Sequence, residues 1–376
     1  MRIVFTGGGT GGHFYPIIAV AESVRKIADE KKVLNAKLYY YSDSPYDKEA
    51  LFENGIEFVS IPAGKRRLYG GLQNFFDLFK TGIGFLQALG SLFKLYPDVV
   101  FGKGGYASYP TLLAARVLGI PVVIHDSDSV PGRVNLWAGK FAKHIAVSYA
   151  EAGEKFPQNK VALTGQPIRK DLLVRKAEGA FEYLKLNPTI PSILVLGGSL
   201  GAEAINSAII GALPTLLEKY QVIHQTGVRN FTEVKNEADF VLAERPDLKE
   251  RYRPFAFLNP LSLKMSAGTA SLVITRAGSM LFEIAAWGVP AIVIPIPEEI
   301  SRDQRSNAFA YARHGCGVVI EQANLSTPII ASEIHRILDD DTRRKNMEHA
   351  AQAFATHDAA DKIATLLVDM ALSHEK

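Results

Sequence analysis

A strand, a glycine loop and a helix start follow one another without interruption at the head of this chain, and few folds accept that succession. Arg2-Ile3-Val4-Phe5 is a short apolar, β-branched run of the kind buried in a parallel sheet. It breaks into Gly7-Gly8-Gly9-Thr10-Gly11-Gly12. From Pro16, a residue suited to a first helical turn, Ile17, Ala21 and Val24 recur at helical spacing. Such a loop brings backbone N–H groups close to an anion and the helix end adds partial positive charge, so the stretch predicts a phosphate or pyrophosphate site. The pattern returns later. Ser192-Ile193-Leu194-Val195-Leu196 runs into Gly197-Gly198-Ser199-Leu200-Gly201-Ala202 and then an apolar helix with Ile205 and Ile209.

Between and beyond the two copies, short apolar runs alternate with helix-length segments. Lys37–Tyr41, Phe58–Ile61, Val99–Phe101, Val122–His125, His144–Val147 and Val161–Thr164 read as strands of the first half. Gln221–His224, Phe255–Leu258, Leu272–Thr275 and Ala291–Pro295 read as strands of the second, with a helix from Met280 to Trp287. The expected class is α/β, with two Rossmann-like doubly wound domains facing across a cleft. A chain of 376 residues has the length for two domains. The pattern restarts around Gly165, giving domains 1–163 and 164–348. After Pro328 the sequence is helical, and a last helix over about 349–376 is expected to return to the first domain.

The near-balanced charge of +3 gives no sign of a nucleic-acid binder with a basic face. Cys316 is the one cysteine, so no disulfide can form within the chain; it reads as a small buried apolar residue in a reducing compartment. With a strand beginning at Arg2, no signal peptide is expected and the protein is expected in the cytoplasm. From Asn74 to Tyr96 the chain is rich in Phe and Leu, with Lys65, Arg66 and Arg67 just before it. Lys80, Lys94 and glycines 82, 84 and 90 argue against a membrane span. The stretch is either a buried crossover helix pair or an element that lies on an anionic membrane surface.

Gly7, Gly9 and Gly12 spell the dinucleotide fingerprint, and Asp43 closes the next strand where an acid for an NAD ribose would sit, so a dehydrogenase has to be weighed. Against it, His13 puts an ionisable ring at the mouth of the loop, where hydride transfer has no use for one. The plain alternative for His13 is a first-turn residue that helps close the loop.

Four motifs in order carry a more specific likeness: GGGTGGHFYP at 7–16, GKGGYASYP at 102–110, VLGGSLGAEAIN at 195–206, and RAGSMLFEIAAWGVPAIVIP at 276–295 with DQRSNA at 303–308. SVPGRVN at 129–135 and GQPIRKD at 165–171 belong with them. With these segments the chain resembles the MurG-like peptidoglycan N-acetylglucosaminyltransferases, a GT-B glycosyltransferase family, from the first loop to about Val319. The resemblance implies an inverting transfer of N-acetylglucosamine from UDP-GlcNAc to the C4 hydroxyl of the lipid-linked muramoyl-pentapeptide acceptor, lipid I, giving lipid II at the cytoplasmic face of the membrane. It makes the first domain the acceptor- and membrane-facing one and the second the UDP-sugar donor domain. A catalytically idle lipid-binding relative is the third reading.

The same resemblance distributes residues. Glu283 is implied to accept hydrogen bonds from the ribose hydroxyls, Gln304 and Asn307 to read the donor sugar, Gly198 and Ser199 to hold the phosphates, and Arg169 to add positive charge as the bond breaks. Thr10, Gly11 and Gly12 are assigned to the donor as well. The first loop with Gly104, Gly105 and Tyr106 faces the lipid pyrophosphate, with His125 and Asp128 beside the acceptor. His13 is the first choice for the base that takes the hydroxyl proton, and His125 the second, with loop orientation as its alternative role.

Three departures stand out. A segment that usually reads HEQN is His125-Asp126-Ser127-Asp128, which also spells DxD, the metal-binding signature of another glycosyltransferase class. A divalent ion there would need phosphate ligands nearby, so neither metal nor cofactor is assigned. The glycine segment before Glu283 is one residue shorter than usual, with Met280 where threonine is common. Leu200 stands where the family often has glutamine, and it cannot hydrogen-bond.

Overall fold

The computed structural model describes residues 1–65, 72–198, 202–300 and 302–373. The chain forms two compact units, Met1–Arg169 with Thr356–Lys376, and Lys170–Ala355. Arg66, Arg67, Ser199 and Leu200, singled out in the sequence, lie outside the described residues.

The first unit is built on seven parallel strands: β1 (Arg2–Thr6), β2 (Lys37–Ser42), β3 (Ile56–Ser60), β4 (Val99–Gly102), β5 (Val122–Asp126), β6 (His144–Val147) and β7 (Val161–Leu163). Their order is β3-β2-β1-β4-β5-β6-β7. β1 pairs with β2 on one side (Arg2 opposite Lys37) and with β4 on the other (Ile3 opposite Val99), so the strand order reverses at β1. Ligands of open α/β sheets bind outside the carboxyl ends of strands at such a reversal.

Apolar side chains fill the space between sheet and helices. Ile3 and Phe5 of β1, Phe101 of β4, and Phe14, Ile17 and Val24 of the helix Gly11–Glu30 are fully buried in one cluster. The helix Ala359–Ser373 belongs to the same cluster and sets Ile363, Ala364, Leu367, Val368 and Ala371 into it. An ion pair, Lys31 Nζ to Asp369 Oδ1 at 2.5 Å, lies at its rim between exposed side chains, so the buried apolar area and not the charge holds the helix.

The second unit repeats the plan with β8 (Ser192–Leu196), β9 (Gln221–Gln225), β10 (Tyr252–Phe255), β11 (Ala270–Thr275), β12 (Ala291–Val293) and β13 (Gly317–Val319). The order β10-β9-β8-β11-β12-β13, again all parallel, reverses at β8. The third strand starts three residues before the one expected at Phe255–Leu258. Tyr252 is buried with its hydroxyl 3.0 Å from His224 Nδ1, whereas Phe257 is 53 % exposed. Pro254 is tolerated because β10 is an edge strand.

The Phe-rich stretch is one helix, Leu72–Leu95, and not a pair. Ala88 and Leu92 are buried, while Phe75, Phe76, Leu78, Phe79, Ile83, Leu86 and Phe93 are exposed, three of them (Phe75 59 %, Phe76 68 %, Phe79 60 %) at the amino-terminal end. This corrects the reading of a buried element. Among the described residues no helix is long and apolar enough to cross a membrane.

Glycines fix how close this helix sits. A Cβ on Gly84 would stand 1.8 Å from the carbonyl oxygen of Pro62, whereas one on Gly82 or Gly90 would meet nothing within 4 Å. Gly84→Ala should therefore destabilise the protein by about 1–3 kcal/mol through overpacking. Gly82→Ala and Gly90→Ala should stabilise it by roughly 0.5–1 kcal/mol, the helix-propensity gain. Chemical unfolding of the three variants separates them; equal stability for Gly84→Ala and Gly82→Ala would contradict the close approach.

Candidate active site

The reversal at β1 brings two glycine loops together. The loop after β1, Gly7–Thr10, and the loop after β4, Lys103–Gly105, contain Gly9, Gly104 and Gly105 at φ of 91°, 86° and 78°. A Cβ on Gly105 would lie 2.7 Å from the carbonyl oxygen of Gly8, so the loops meet backbone against backbone. Tyr40 Oη donates to the carbonyl of Gly7 at 2.8 Å from below, and the Lys103 amide donates to Thr6 at 2.8 Å. Thr10, Gly11 and Gly12 lead from the first loop into the helix Gly11–Glu30.

Tyr106 covers the junction. Its ring comes within 3.1 Å of the Cβ position of Gly9, and its hydroxyl donates to Asp43 Oδ2 at 2.7 Å. Burial and that carboxylate push the phenol up to about 12. Asp43 is therefore the anchor of a tyrosine, and the side chain that would have marked a ribose site is already engaged.

His13 stands in the first turn of the helix, partly buried, with Nδ1 3.0 Å from Thr10 Oγ1 and Cε1 3.7 Å from the Cβ position of Gly105. Burial, and then the positive charge of Lys103, hold the ring down at about 4, so it is neutral at physiological pH with one nitrogen lone pair available.

Beneath the loops lies a polar layer that sequence reasoning missed. Lys103, 1 % exposed, donates through Nζ to Ser127 Oγ, which donates to Gln166 Oε1 at 2.6 Å. Ser148 Oγ donates to the same oxygen at 3.1 Å and lies 3.3 Å from His125 Nε2. His125 has no exposed surface, and Nε2 meets the carbonyl of Gly165 at 3.0 Å, which requires the proton on that nitrogen. Burial and Lys103 hold the ring well below its usual value. The ring is thus enclosed, with Nε2 held on the Gly165 turn. The visible signal was Lys103 inside GKGGYASYP, overshadowed by its glycines.

The aspartate of the DxD pattern has a structural task. Asp126 accepts from the amides of Asp128 and Gly132 at 3.0 Å each and from Asn135 Nδ2 at 2.8 Å, so its carboxylate shapes the 128–135 loop. Burial and the neighbouring Asp128 still raise it to about 6, outweighing those donors. Among the described residues no group of three or more His, Cys, Asp or Glu side chains is placed to hold a metal. Asp128 is half-buried beside the loop. Arg169 closes the first unit with its guanidinium 4.5 Å from the ring centre of Tyr15.

In the second unit the loop after β8 is described as far as Gly198, at φ 85°. Gln225 clamps it: Nε2 donates to the Gly198 carbonyl at 3.3 Å and Oε1 accepts from the Leu258 amide at 2.9 Å. Asn206, which ends the motif, is buried and joins Thr226 to His224, whose other nitrogen accepts from Tyr252. Across the reversal, Glu283 sits in the first turn of the helix Met280–Trp287, partly buried, with Met280 at its start. Asn307 is buried and donates to the Ala277 carbonyl at 3.2 Å; Gln304 Oε1 accepts from the Ile296 amide at 3.1 Å. Both amides hold the loops after β11 and β12 in place. Arg276, also unread in the sequence, caps the chain at Ile294 and Pro295.

Two parallel doubly wound units, each with a glycine loop at its reversal, define the GT-B class of glycosyltransferase fold. The crystal structure of Acinetobacter baumannii MurG superposes on it with a TM-score of 0.75 at 23 % identity, covering 98 % of this chain and 99 % of that one. Residues 3–147 match the glycosyltransferase family 28 N-terminal domain and residues 192–363 the family 28 C-terminal domain; the chain belongs to glycosyltransferase family 28. Two relatives are named UDP-N-acetylglucosamine–N-acetylmuramyl-(pentapeptide) pyrophosphoryl-undecaprenol N-acetylglucosamine transferase. That of Halothermothrix orenii is 36 % identical, covering 99 % of both chains. That of Treponema denticola is 34 % identical, covering 97 % of this chain and 96 % of its own.

Proposed function

We infer that this chain moves N-acetylglucosamine from UDP-GlcNAc to the C4 hydroxyl of the muramoyl sugar of lipid I, giving lipid II and UDP. The observation that carries the reading is His13, a neutral ring set at the junction of two glycine loops. The full-length likeness to relatives named for this transfer supports it. The loops offer backbone N–H groups to the acceptor pyrophosphate. With Nδ1–H donating to Thr10 Oγ1, Nε2 of His13 keeps the lone pair. The hydroxyl oxygen bonds to the anomeric carbon, its proton passes to Nε2, and the bond from that carbon to UDP breaks; a single displacement inverts the centre. A ring held near 4 is a weak base, so it accepts the proton late, as the new bond makes the hydroxyl acidic. Glu283 holds the ribose, Gly198 and Ser199 line the diphosphate, and Arg169 offers positive charge to the leaving UDP.

The membrane is the natural partner of the same unit. An acceptor with a long hydrocarbon tail stays in the bilayer because leaving it exposes too much apolar surface. The exposed face of Leu72–Leu95 lies in the unit that holds His13, and Lys65, Lys80 and Lys94 flank it, with Arg66 and Arg67 next to Lys65 in sequence. Such a face suits the interface of an anionic bilayer.

Three measurements follow. His13→Ala should lower turnover by roughly 10²–10⁴-fold while UDP affinity stays at its wild-type value. Activity within a few-fold of wild type would remove the base and favour a role in loop closure. Glu283→Ala should weaken UDP binding by about 1–3 kcal/mol in calorimetry; unchanged affinity would put the nucleotide elsewhere. Replacing Phe75, Phe76 and Phe79 together by serine should abolish sedimentation with anionic vesicles and leave UDP binding intact. Vesicle binding that survives the triple substitution would discard this face as the membrane contact.

A further inference from the structure

Lysine is almost never buried without compensation, because stripping water from an ammonium costs several kcal/mol. Lys103 is 1 % exposed all the same, and its place is not in the general core. Its amide donates to Thr6 at the end of β1, and its Cβ lies 3.1 Å from the Cβ position of Gly7. It thus grows from the floor of the first glycine loop and heads the second. Its ammonium ends on Ser127, and through Ser127 on Gln166, at the turn that closes the first unit. The titratable groups that face it are the carboxylate of Asp126 and the ring of His125 from β5, the carboxylate of Asp128 from the loop after it, and the ring of His13 from the helix Gly11–Glu30.

We propose that Lys103 is a positioning residue for the transfer: a buried cation beneath the two glycine loops that ties them to Ser127 and Gln166 and sets the electrostatics of His13 and of the pyrophosphate the loops receive. The proposal rests on the reading of His13 and the loops given above. Two things support it besides burial. The hydrogen bonds to Ser127 and onward to Gln166 fix where the ammonium sits. The two carboxylates favour its charged form, and although burial pulls it down to about 8 it stays protonated at neutral pH. At 1 % exposure the ammonium is also little screened by solvent, so its charge reaches further than a surface lysine's would. A positive charge there discourages a proton on His13 and favours the negative charge of a pyrophosphate on the loops above. A neutral side chain of the same length would fill the space and do neither.

His13 is held down first by burial and second by Lys103, so removing the charge raises its pKa from about 4 toward the ordinary 6.5. The acid limb of the pH–rate profile then moves to higher pH. Lys103 itself loses its proton near 8, so the wild type should lose activity above that pH, and a variant without the amine should not show that limb.

Lys103→Met is the test, with turnover measured across pH and the histidine rings followed by NMR in imidazole-labelled protein, His13→Gln serving to assign the signal. Turnover at neutral pH should fall on the order of tenfold, less than the loss of a donor in direct contact with a developing charge. The His13 titration should rise, the alkaline limb should vanish, and the KM for UDP-GlcNAc should not change. An unmoved His13 titration with the alkaline limb intact overturns the proposal, even if turnover falls, because a merely structural lysine gives that result. If His13→Ala is fully active, the reading of the base fails instead, and the NMR titration of Lys103→Met still decides whether the cation acts on the ring. Should Lys103→Met not fold, Ser127→Ala keeps the lysine and removes its acceptor: the charged form loses a partner and the alkaline limb moves to lower pH, whereas an unmoved limb overturns the proposal.

Discussion

At the first site, the loop after β1 and the loop after β4 approach until a methyl group on Gly105 would stand 2.7 Å from the oxygen of Gly8. β1 and β4 are parallel neighbours at the reversal of strand order, so their carboxyl ends lie side by side and the loops that leave them meet. Much else in the first unit accommodates it. Tyr40 holds the first loop from below, Tyr106 covers it from the side with Asp43 as its anchor, and Asn135 fills the space under Gly104, within 2.9 Å of its Cβ position. The result is a bare stretch of main chain, which is what an anion needs, framed by side chains that cannot move into it.

Desolvation gives this frame its chemistry. Around the loops three ionisable groups, His13, Lys103 and Asp126, are all displaced toward their neutral forms, to about 4, 8 and 6. Burial is the largest cause in each case. The directions differ in consequence: the histidine is left with a free lone pair, the lysine keeps its charge at neutral pH, and the aspartate's rise is opposed by Asn135, the Asp128 amide and Lys103. In the second unit the corresponding place is held by neutral groups, Gln225 on Gly198 and Asn307 on Ala277.

The strands and both glycine loops are legible in the sequence because parallel strands buried on two faces must be apolar throughout and because loops at positive φ select glycine. The site is legible in part. His13 announces itself by standing directly after Gly12. Lys103 does not, since a lysine between glycines reads as solvated, and its burial depends on Asp126 and Gln166, distant in sequence and near only once β4, β5 and the Gly165 turn are assembled. The surroundings of His125 are hidden for the same reason: its contacts with the Gly165 carbonyl and Ser148 join segments distant in sequence. The face of Leu72–Leu95 is ambiguous in the letters alone, because apolar residues occur all round it and the glycine that marks the packed side, Gly84, looks like Gly82 and Gly90.

The helix Ala359–Ser373 lies in the core of the first unit, with Leu367 and Val368 fully buried beside the Gly11–Glu30 helix, although nearly two hundred residues of the second unit separate it from Arg169. During synthesis, Ile17, Val24 and their neighbours must therefore wait for the distal end of the message before their apolar face is covered. The second unit, whose strands and helices are contiguous from Lys170 to Ala355, is free to fold while that gap is open. Closing a loop of this length adds little to the equilibrium cost but delays the contact, so the first unit is the late folder and the one exposed to aggregation when translation stalls short of residue 359.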